Sequence, residues 1–240
     1  MSYSDITIND KSRVKSWLHK KRYRQALISV NEIPFNFAGS ILDFGGGNGE
    51  FCKYILNKFT GSSIVLYEPT PSIREEGSVN LTQYPQVQII DNLKNSPYPV
   101  YDIVFCMEVF EHMVEEQYPV LFGQFLSMMD KNSLLVISVP VEVYLPALAK
   151  GAFRMFRRYG SFDANIKNVL KCFFGRPPSI RPRGTIENGL PYYYDHLGFD
   201  YRVFESELQK YFQIIGSYGG PATFMPVCMN LEKYYLCRMQ

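Results

Sequence analysis

The sequence predicts an α/β protein built on a doubly wound, mostly parallel sheet, and three observations carry that prediction. Apolar runs recur at Ser40–Phe44, Ile64–Tyr67, Val87–Ile90, Tyr101–Met107 and Leu134–Val139, with the length and continuity of strands buried on both faces. Segments with helical spacing separate them, at Phe51–Phe59, Ser72–Gly77 and Glu115–Met129, and such alternation implies parallel strands joined by crossover helices. The first run ends in a glycine cluster that leads straight into a helix, an order of strand, turn and helix.

Taken in chain order, Val14, Trp17, Leu18, Tyr23, Leu27 and Ile28 recur at helical spacing among basic residues between Lys11 and Val30, so residues 1–35 form an N-terminal helical segment. The alternating core follows over 36–141. After Val141 the pattern breaks into a helix-like stretch to Phe174 and a Pro- and Gly-rich segment from Gly175 to Gly184, and 142–190 reads as a basic helical insertion after the fifth strand. The remaining 191–240 rejoins the sheet through a helix near Phe204–Tyr211 and strands at Phe212–Tyr218 and Lys233–Arg238. All 240 residues fit one domain.

Composition narrows the function classes. Apolar residues at 46% and charged residues at 20% describe a globular chain. The five cysteines (Cys52, Cys106, Cys172, Cys228, Cys237) form no CxxC pair and no metal-ligand spacing, so neither a disulfide framework nor a metal site is expected from them. The first residues lack the pattern of a secretory signal, and the most apolar window, Ser133–Ala149, is interrupted by Pro140, Glu142 and Pro146. A reducing cytoplasm is the expected compartment.

The chemistry centres on Asp43-Phe44-Gly45-Gly46-Gly47-Asn48-Gly49. Glycines after a buried strand permit a tight turn and a close backbone approach to a ligand, with helix N–H groups facing it. A dinucleotide fingerprint requires GxGxxG, and here Glu50 stands in the place of the third glycine. Asp43 and Glu50 disfavour a pyrophosphate, whereas a sulfonium and an ammonium suit Asp43.

Asp43-x-Gly45-x-Gly47-x-Gly49 resembles motif I of the class I S-adenosylmethionine-dependent methyltransferases, whose fold is a seven-stranded Rossmann-like sheet. That resemblance implies S-adenosylmethionine as cofactor, held by Asp43, Phe44, Gly45, Gly46, Gly47 and Gly49. It implies an acid at the end of the second strand to hold the ribose hydroxyls, met by Glu68 beside Pro69, and a polar residue after the third strand at the adenine, met by Asp91 or Asn92. Tyr101–Met107 followed by Glu108 and Glu111-His112 resembles the family stretch in which Met107 and Glu108 line the cofactor. Glu111 and His112 are candidate catalysts, with a capping pair as the plainer alternative.

His196, in Tyr192-Tyr193-Tyr194-Asp195-His196, has the side chain best suited to take a hydroxyl proton near neutral pH. It is the candidate general base for O-methylation, with Asp195 as its orienting partner. His19 reads as solvated surface.

The window Lys150–Arg183 carries nine basic residues against Asp163, a charge of +8, which leaves −6 for the rest of the chain. Leu148, Phe153, Met155, Phe156, Val169, Leu170, Phe173 and Phe174 interleave with those cations, the composition of an interfacial helix or of a lid over an anionic ligand. Arg154, Arg158, Tyr193 and Tyr194 are the candidate substrate contacts. The expected acceptor is a small molecule or glycan precursor, phosphate-bearing or lipid-linked, and residues 150–183 are expected to touch the anionic inner face of a membrane. Modest total charge and the lack of an RNA-binding motif argue against nucleic acid. Two rivals stand beside this reading: a nicotinamide-dependent oxidoreductase, and a methyltransferase-like binding module without activity.

Overall fold

The computed structural model describes residues 13–186 and 189–240, with side chains from Lys20 onward. His19 and the apolar positions Val14, Trp17 and Leu18 have side chains outside the described residues. The N-terminal helix α1 (Arg13–Ala26) precedes β1 (Ser40–Phe44), α2 (Glu50–Lys58), β2 (Ser63–Tyr67), α3 (Pro71–Asn80) and β3 (Val87–Ile90). β4 (Ile103–Met107), α4 (Tyr118–Ser127) and β5 (Leu134–Pro140) complete the alternating part.

Two helices follow, α5 (Leu145–Arg158) and α6 (Ile166–Phe173), then a ribbon of β6 (Arg183–Thr185) and β7 (Pro191–Tyr193), α7 (Tyr201–Leu208), β8 (Phe212–Gly220) and β9 (Glu232–Met239). The seven-stranded sheet has the order β3-β2-β1-β4-β5-β9-β8. β1 to β5 are parallel, and β9 runs antiparallel to both β5 and β8. The expected doubly wound sheet is therefore present. The chain steps outward from β1 to β3 and returns to pair β4 with β1, so the crevice for a ligand lies at the carboxyl ends of β1 and β4.

Continuous apolar strands follow from burial on both faces. Along β1 and β4, Leu42, Phe44, Val104 and Cys106 pack on one side with Phe110, Phe122 and Phe125, while Ile41, Ile103 and Phe105 pack on the other with Phe51, Ile55 and Ala26. This two-residue alternation is the strand period. Each fully buried Leu, Ile, Val or Phe stabilises the fold by roughly 1.5–3 kcal/mol. Phe44, expected at the cofactor, lies in this core, 4.8 Å from the ring of Tyr67 and 5.0 Å from that of Phe125.

The insert differs from its expected form. The helix-like stretch is broken between Arg158 and Ile166, and α5 and α6 pack face to face around Ala147, Val169, Cys172 and Leu197. Gly151 makes this possible, since a Cβ there would lie 2.6 Å from Val169 Cγ1. The β6–β7 ribbon was not expected, because its strands of three residues are too short for a periodic signal. It runs through the boundary drawn at residue 190. Among the described residues no helix is long and apolar enough to cross a membrane.

Candidate active site

The glycine turn sits where β1 meets α2. Gly45, Gly47 and Gly49 have φ of +68°, +59° and +76°, a region L side chains enter at a cost of about 1–2 kcal/mol. At Gly46 the constraint is space, since a Cβ would lie 2.4 Å from both Asp43 Oδ2 and Leu66 Cδ1. Asp43 thus lies directly beneath the turn, fully buried. Its Oδ2 accepts the Cys52 thiol proton at 3.3 Å, while Oδ1 has no partner. Burial pushes its carboxyl up to about 7.

Glu50 does not act as the sequence argument had it. Its carboxylate accepts from Lys53 at 2.6 Å and from Asn80 at 2.8 Å, so its charge is answered locally on α2 and α3.

Glu68, at the end of β2, is almost wholly buried. Its Oε1 accepts from the Thr70 amide at 2.8 Å and its Oε2 from the Gly47 amide at 3.2 Å. Burial raises its carboxyl, and those two amides and Arg74 pull it back down. The carboxylate is fixed against the glycine turn with lone pairs left on both oxygens, which suits a vicinal diol.

Beside it opens a cavity of about 390 Å³ lined by Tyr67, Pro69, Arg74, Asp91, Asn92 and Gln124, the size of a small-ligand pocket. Asn92 caps the short helical turn Leu93–Asn95 by accepting from the Lys94 amide, and Asp91 accepts from Asn95. Asn92, and not Asp91, is therefore the cap of that turn. The turn, the fixed carboxylate, the cavity and the unpartnered Asp43 Oδ1 together fit S-adenosylmethionine.

Past β4 the backbone reverses at Glu108, φ +55°, whose amide donates to Ser138 O at 3.0 Å. The Glu108 carboxylate faces Arg22 of α1 at 3.3 Å, and Arg22 also pairs with Glu232 at 2.8 Å. Glu108 is thereby engaged with the N-terminal helix and β9, where the sequence had assigned it to the cofactor beside Met107. The link could not be read from spacing, because Arg22 and Glu232 are 210 positions apart.

Val109 presses on the glycine turn, its Cγ2 only 2.7 Å from where a Gly45 Cβ would stand, and so carries the next residues to the same crevice. Those residues are Glu111 and His112, and they meet His196. His112 Nδ1–H donates to Tyr193 O at 2.7 Å, its ring stacks on Tyr192 with centroids 4.6 Å apart, and its Nε2 lies 3.2 Å from His196 Nε2.

Glu111 is fully buried with no hydrogen bond to either oxygen, Oε1 standing 3.9 Å from His112 Nε2. Burial lowers His112 to about 4 and His196 well below its usual value, and burial followed by the nearby Glu108 raises Glu111. Both imidazoles are therefore neutral at neutral pH. His196 has His112 for a partner and not Asp195, whose carboxylate turns toward Arg158 at 3.7 Å.

Much of the insert's charge is used internally. Glu142, fully buried at the end of β5, accepts from Lys150 at 3.0 Å and from both Arg154 Nη groups at 2.8 and 2.9 Å. Arg154 Nε reaches Asp163 at 3.3 Å, and Arg158 also bonds Asp163.

Arg154, an expected acceptor contact, is accordingly engaged by these two carboxylates. Tyr193 is buried, its hydroxyl donating to Glu115 at 3.2 Å, whereas Tyr194 is exposed and donates to Thr185 O at 2.7 Å. Arg181, whose role the sequence did not signal, is buried against the Tyr193 ring, 4.0 Å from its centroid, and donates to Glu111 O and Asp195 O.

Residues 18–174 match the family model described as a methyltransferase domain. No curated protein sequence matches. Among solved structures, the mitomycin 7-O-methyltransferase aligns over all of this chain with a TM-score of 0.58 at 15% identity, and this chain spans 61% of it. The Burkholderia thailandensis 1,6-didemethyltoxoflavin-N1-methyltransferase, solved with S-adenosylhomocysteine, gives 0.57 at 12% identity over 97% of this chain and 84% of its own. The N-methyltransferase NodS of Bradyrhizobium japonicum WM9, also solved with S-adenosylhomocysteine, gives 0.56 at 10% over 96% and 89%. These likenesses extend the sheet and its crossovers to the whole chain, and the family match sets aside the nicotinamide-dependent alternative. The chain belongs to the methyltransferase domain family and is an S-adenosylmethionine-dependent methyltransferase of class I.

Proposed function

We propose that the enzyme methylates an oxygen atom of a phosphate-bearing, lipid-linked acceptor of the sugar or glycan-precursor kind, working against the anionic inner surface of a membrane. The observation that carries this reading is a groove of about 670 Å³ on the outer side of α6, lined by Lys167, Leu170, Lys171, Phe174 and Arg176. Three cations around two apolar side chains suit an acidic headgroup with a hydrocarbon tail. Further apolar side chains are exposed on α5 and on the segments that follow α5 and α6: Phe156 is 92% exposed, and Phe153, Tyr159 and Ile180 are exposed as well.

In the reaction the acceptor oxygen attacks the methyl carbon in line with the carbon–sulfur bond, which breaks and leaves S-adenosylhomocysteine. The hydroxyl proton passes to the cluster of His196, His112 and Glu111. Positioning of the two reactants supplies much of the acceleration. Gly45 to Gly49, Glu68 and the cavity at Asp91 hold the cofactor.

The test pairs turnover with binding. S-adenosylhomocysteine release is measured with phosphorylated lipid-linked sugars and with their unphosphorylated counterparts. Sedimentation is followed with phosphatidylglycerol-containing and purely zwitterionic vesicles, for the wild type and Phe156→Ser/Lys171→Glu. The expected outcome is turnover on the phosphorylated acceptor and binding only to anionic vesicles, weakened in the double variant. Vesicle binding indifferent to lipid charge, or cofactor binding without turnover on any acceptor, would overturn the reading.

A further inference from the structure

The Glu111–His112–His196 cluster leaves something unanswered. A buried carboxylate with no hydrogen-bond donor is strongly destabilising, yet Glu111 is fully buried and both of its oxygens lack partners. One proton shared between the two histidine Nε2 atoms would satisfy those rings and leave Glu111 as it is. A cation between all three groups would satisfy them together.

The geometry supports the second solution. Because His112 Nδ1–H is spent on Tyr193 O, its Nε2 carries a lone pair toward the cluster, and a backbone carbonyl in that position is the usual means of orienting a ligating imidazole. Two nitrogens each about 2.1 Å from one ion at neighbouring coordination positions stand about 3 Å apart, and the observed separation is 3.2 Å. Suitable atoms of Glu111, His112 and His196 all lie within 4.8 Å of one another.

The three donors come from rigid places. Glu111 and His112 lie in the helical turn Phe110–His112, fixed by the Val109 contact at the glycine turn, and His112 is clamped by Tyr192 and Tyr193. Nearby charges oppose one another: Glu108 and Glu142 favour a cation, while Arg22, Arg181, Lys150 and Arg154 disfavour one, and of these Arg22 and Arg154 are themselves paired with carboxylates.

We propose that Glu111, His112 and His196 form a site for one divalent transition-metal ion, whose remaining coordination positions take oxygen atoms of the acceptor. Two imidazoles and one carboxylate select Mn²⁺, Fe²⁺, Co²⁺ or Zn²⁺ over Mg²⁺ and Ca²⁺, which prefer oxygen ligands alone. The ion site stands on its own geometry, and its role toward the acceptor rests on the methyl-transfer reading. An ion in this position would make an acceptor hydroxyl more acidic, so that with the ion bound the hydroxyl proton leaves to solvent, and the three side chains accept it only in the ion-free cluster.

The experiment uses the full chain, stripped with a chelator and titrated with Co²⁺. Visible absorption and equilibrium dialysis report the ion, and calorimetric titration of the same sample with S-adenosylhomocysteine reports the cofactor site. The wild type is expected to take up one Co²⁺ per chain, with ligand-field bands in the visible. Glu111→Gln, which keeps the side-chain shape, and His196→Gln are expected to weaken that uptake by at least about 100-fold while keeping the far-ultraviolet circular dichroism spectrum.

No stoichiometric uptake by the wild type, or equal uptake by folded Glu111→Gln, would overturn the proposal. Failure of S-adenosylhomocysteine to bind is a separate signal and would tell against the cofactor site instead.

Discussion

Replacing Glu142 by Gln tests the electrostatic account of the insert. The carboxylate is fully buried and answers Lys150 and a bidentate Arg154. Breaking a buried ion pair by removing one partner costs about 3–5 kcal/mol. Two features reduce that figure here: Lys150 keeps Val141 O and Leu231 O, and Arg154 keeps Asp163. The expected loss is therefore about 2–3 kcal/mol, a sizeable part of the roughly 5–15 kcal/mol that holds a domain folded.

With a slope of about 3 kcal/mol/M for a chain of this size, equilibrium urea unfolding reads this as a midpoint lowered by about 0.7–1 M with unchanged slope. The pH dependence is a second signature. Lys150 and Arg154 hold the folded carboxyl well below its usual range against the opposing effect of burial, so its contribution is complete above about pH 5, where the unfolded carboxylate is ionised. The contribution is lost as the pH falls toward the folded value, and the gap between wild type and variant must narrow there. A loss below about 0.5 kcal/mol, or a gap constant down to pH 3, would refute the reasoning.

Four further outcomes follow from the site. Glu68→Ala removes the acceptor of the Gly47 and Thr70 amides, and at about 1.5–3 kcal/mol for a charged hydrogen bond calorimetry should show S-adenosylhomocysteine affinity reduced at least tenfold. Gly47→Ala places a side chain at φ +59°, and a stability loss of about 1–2 kcal/mol together with weakened cofactor binding is expected. Because burial raises the Asp43 carboxyl to about 7 in the fold against an ordinary value of 3.8, its contribution to stability should fall as pH rises from about 4 to 7, so the stability difference between wild type and Asp43→Asn should shift in favour of the variant across that window in pH-dependent denaturation. A disulfide-exchange reagent should find one fast thiol, Cys228, since the other four cysteines are buried, and Cys228→Ser should abolish the fast phase.

Those outcomes probe features that differ in how far the sequence disclosed them. Strands β1 to β5 were legible because burial on both faces makes each an unbroken apolar run, and Glu68 because its place is set by the end of a strand that can be counted. The roles of Arg22, Glu108 and Arg181 were not legible. Each depends on a partner distant in the chain, and one-dimensional spacing holds no trace of a contact such as Arg22 with Glu232.

The basic insert shows the same division. Its charge was plain from composition, yet Glu142, just outside the counted window, takes up Lys150 and Arg154, and Asp163 takes up Arg158 as well. The cations outside those pairs include Lys167, Lys171 and Arg176 around the groove on α6, where the partner is proposed. Asp195 misled by adjacency: neighbours in sequence direct their side chains apart, and His196 met His112 across 84 positions.

The buried acids can be ordered by what answers them. Cations answer Glu142, and backbone amides answer both oxygens of Glu68. Asp43 has one oxygen answered weakly by a thiol and the other by nothing, and Glu111 has neither answered. Since desolvating a carboxylate without compensation is among the costlier features a fold can carry, an acid left in that state beside an accessible crevice is where a positive ligand gains most. The two least-answered acids flank the Gly45–Val109 contact: Asp43, where the cofactor's sulfonium and ammonium suit it, and Glu111, where the metal ion and the acceptor are proposed. If the proposed ion site holds, one device serves twice: an unpaired buried acid answers a cation on each side of the transferred methyl group.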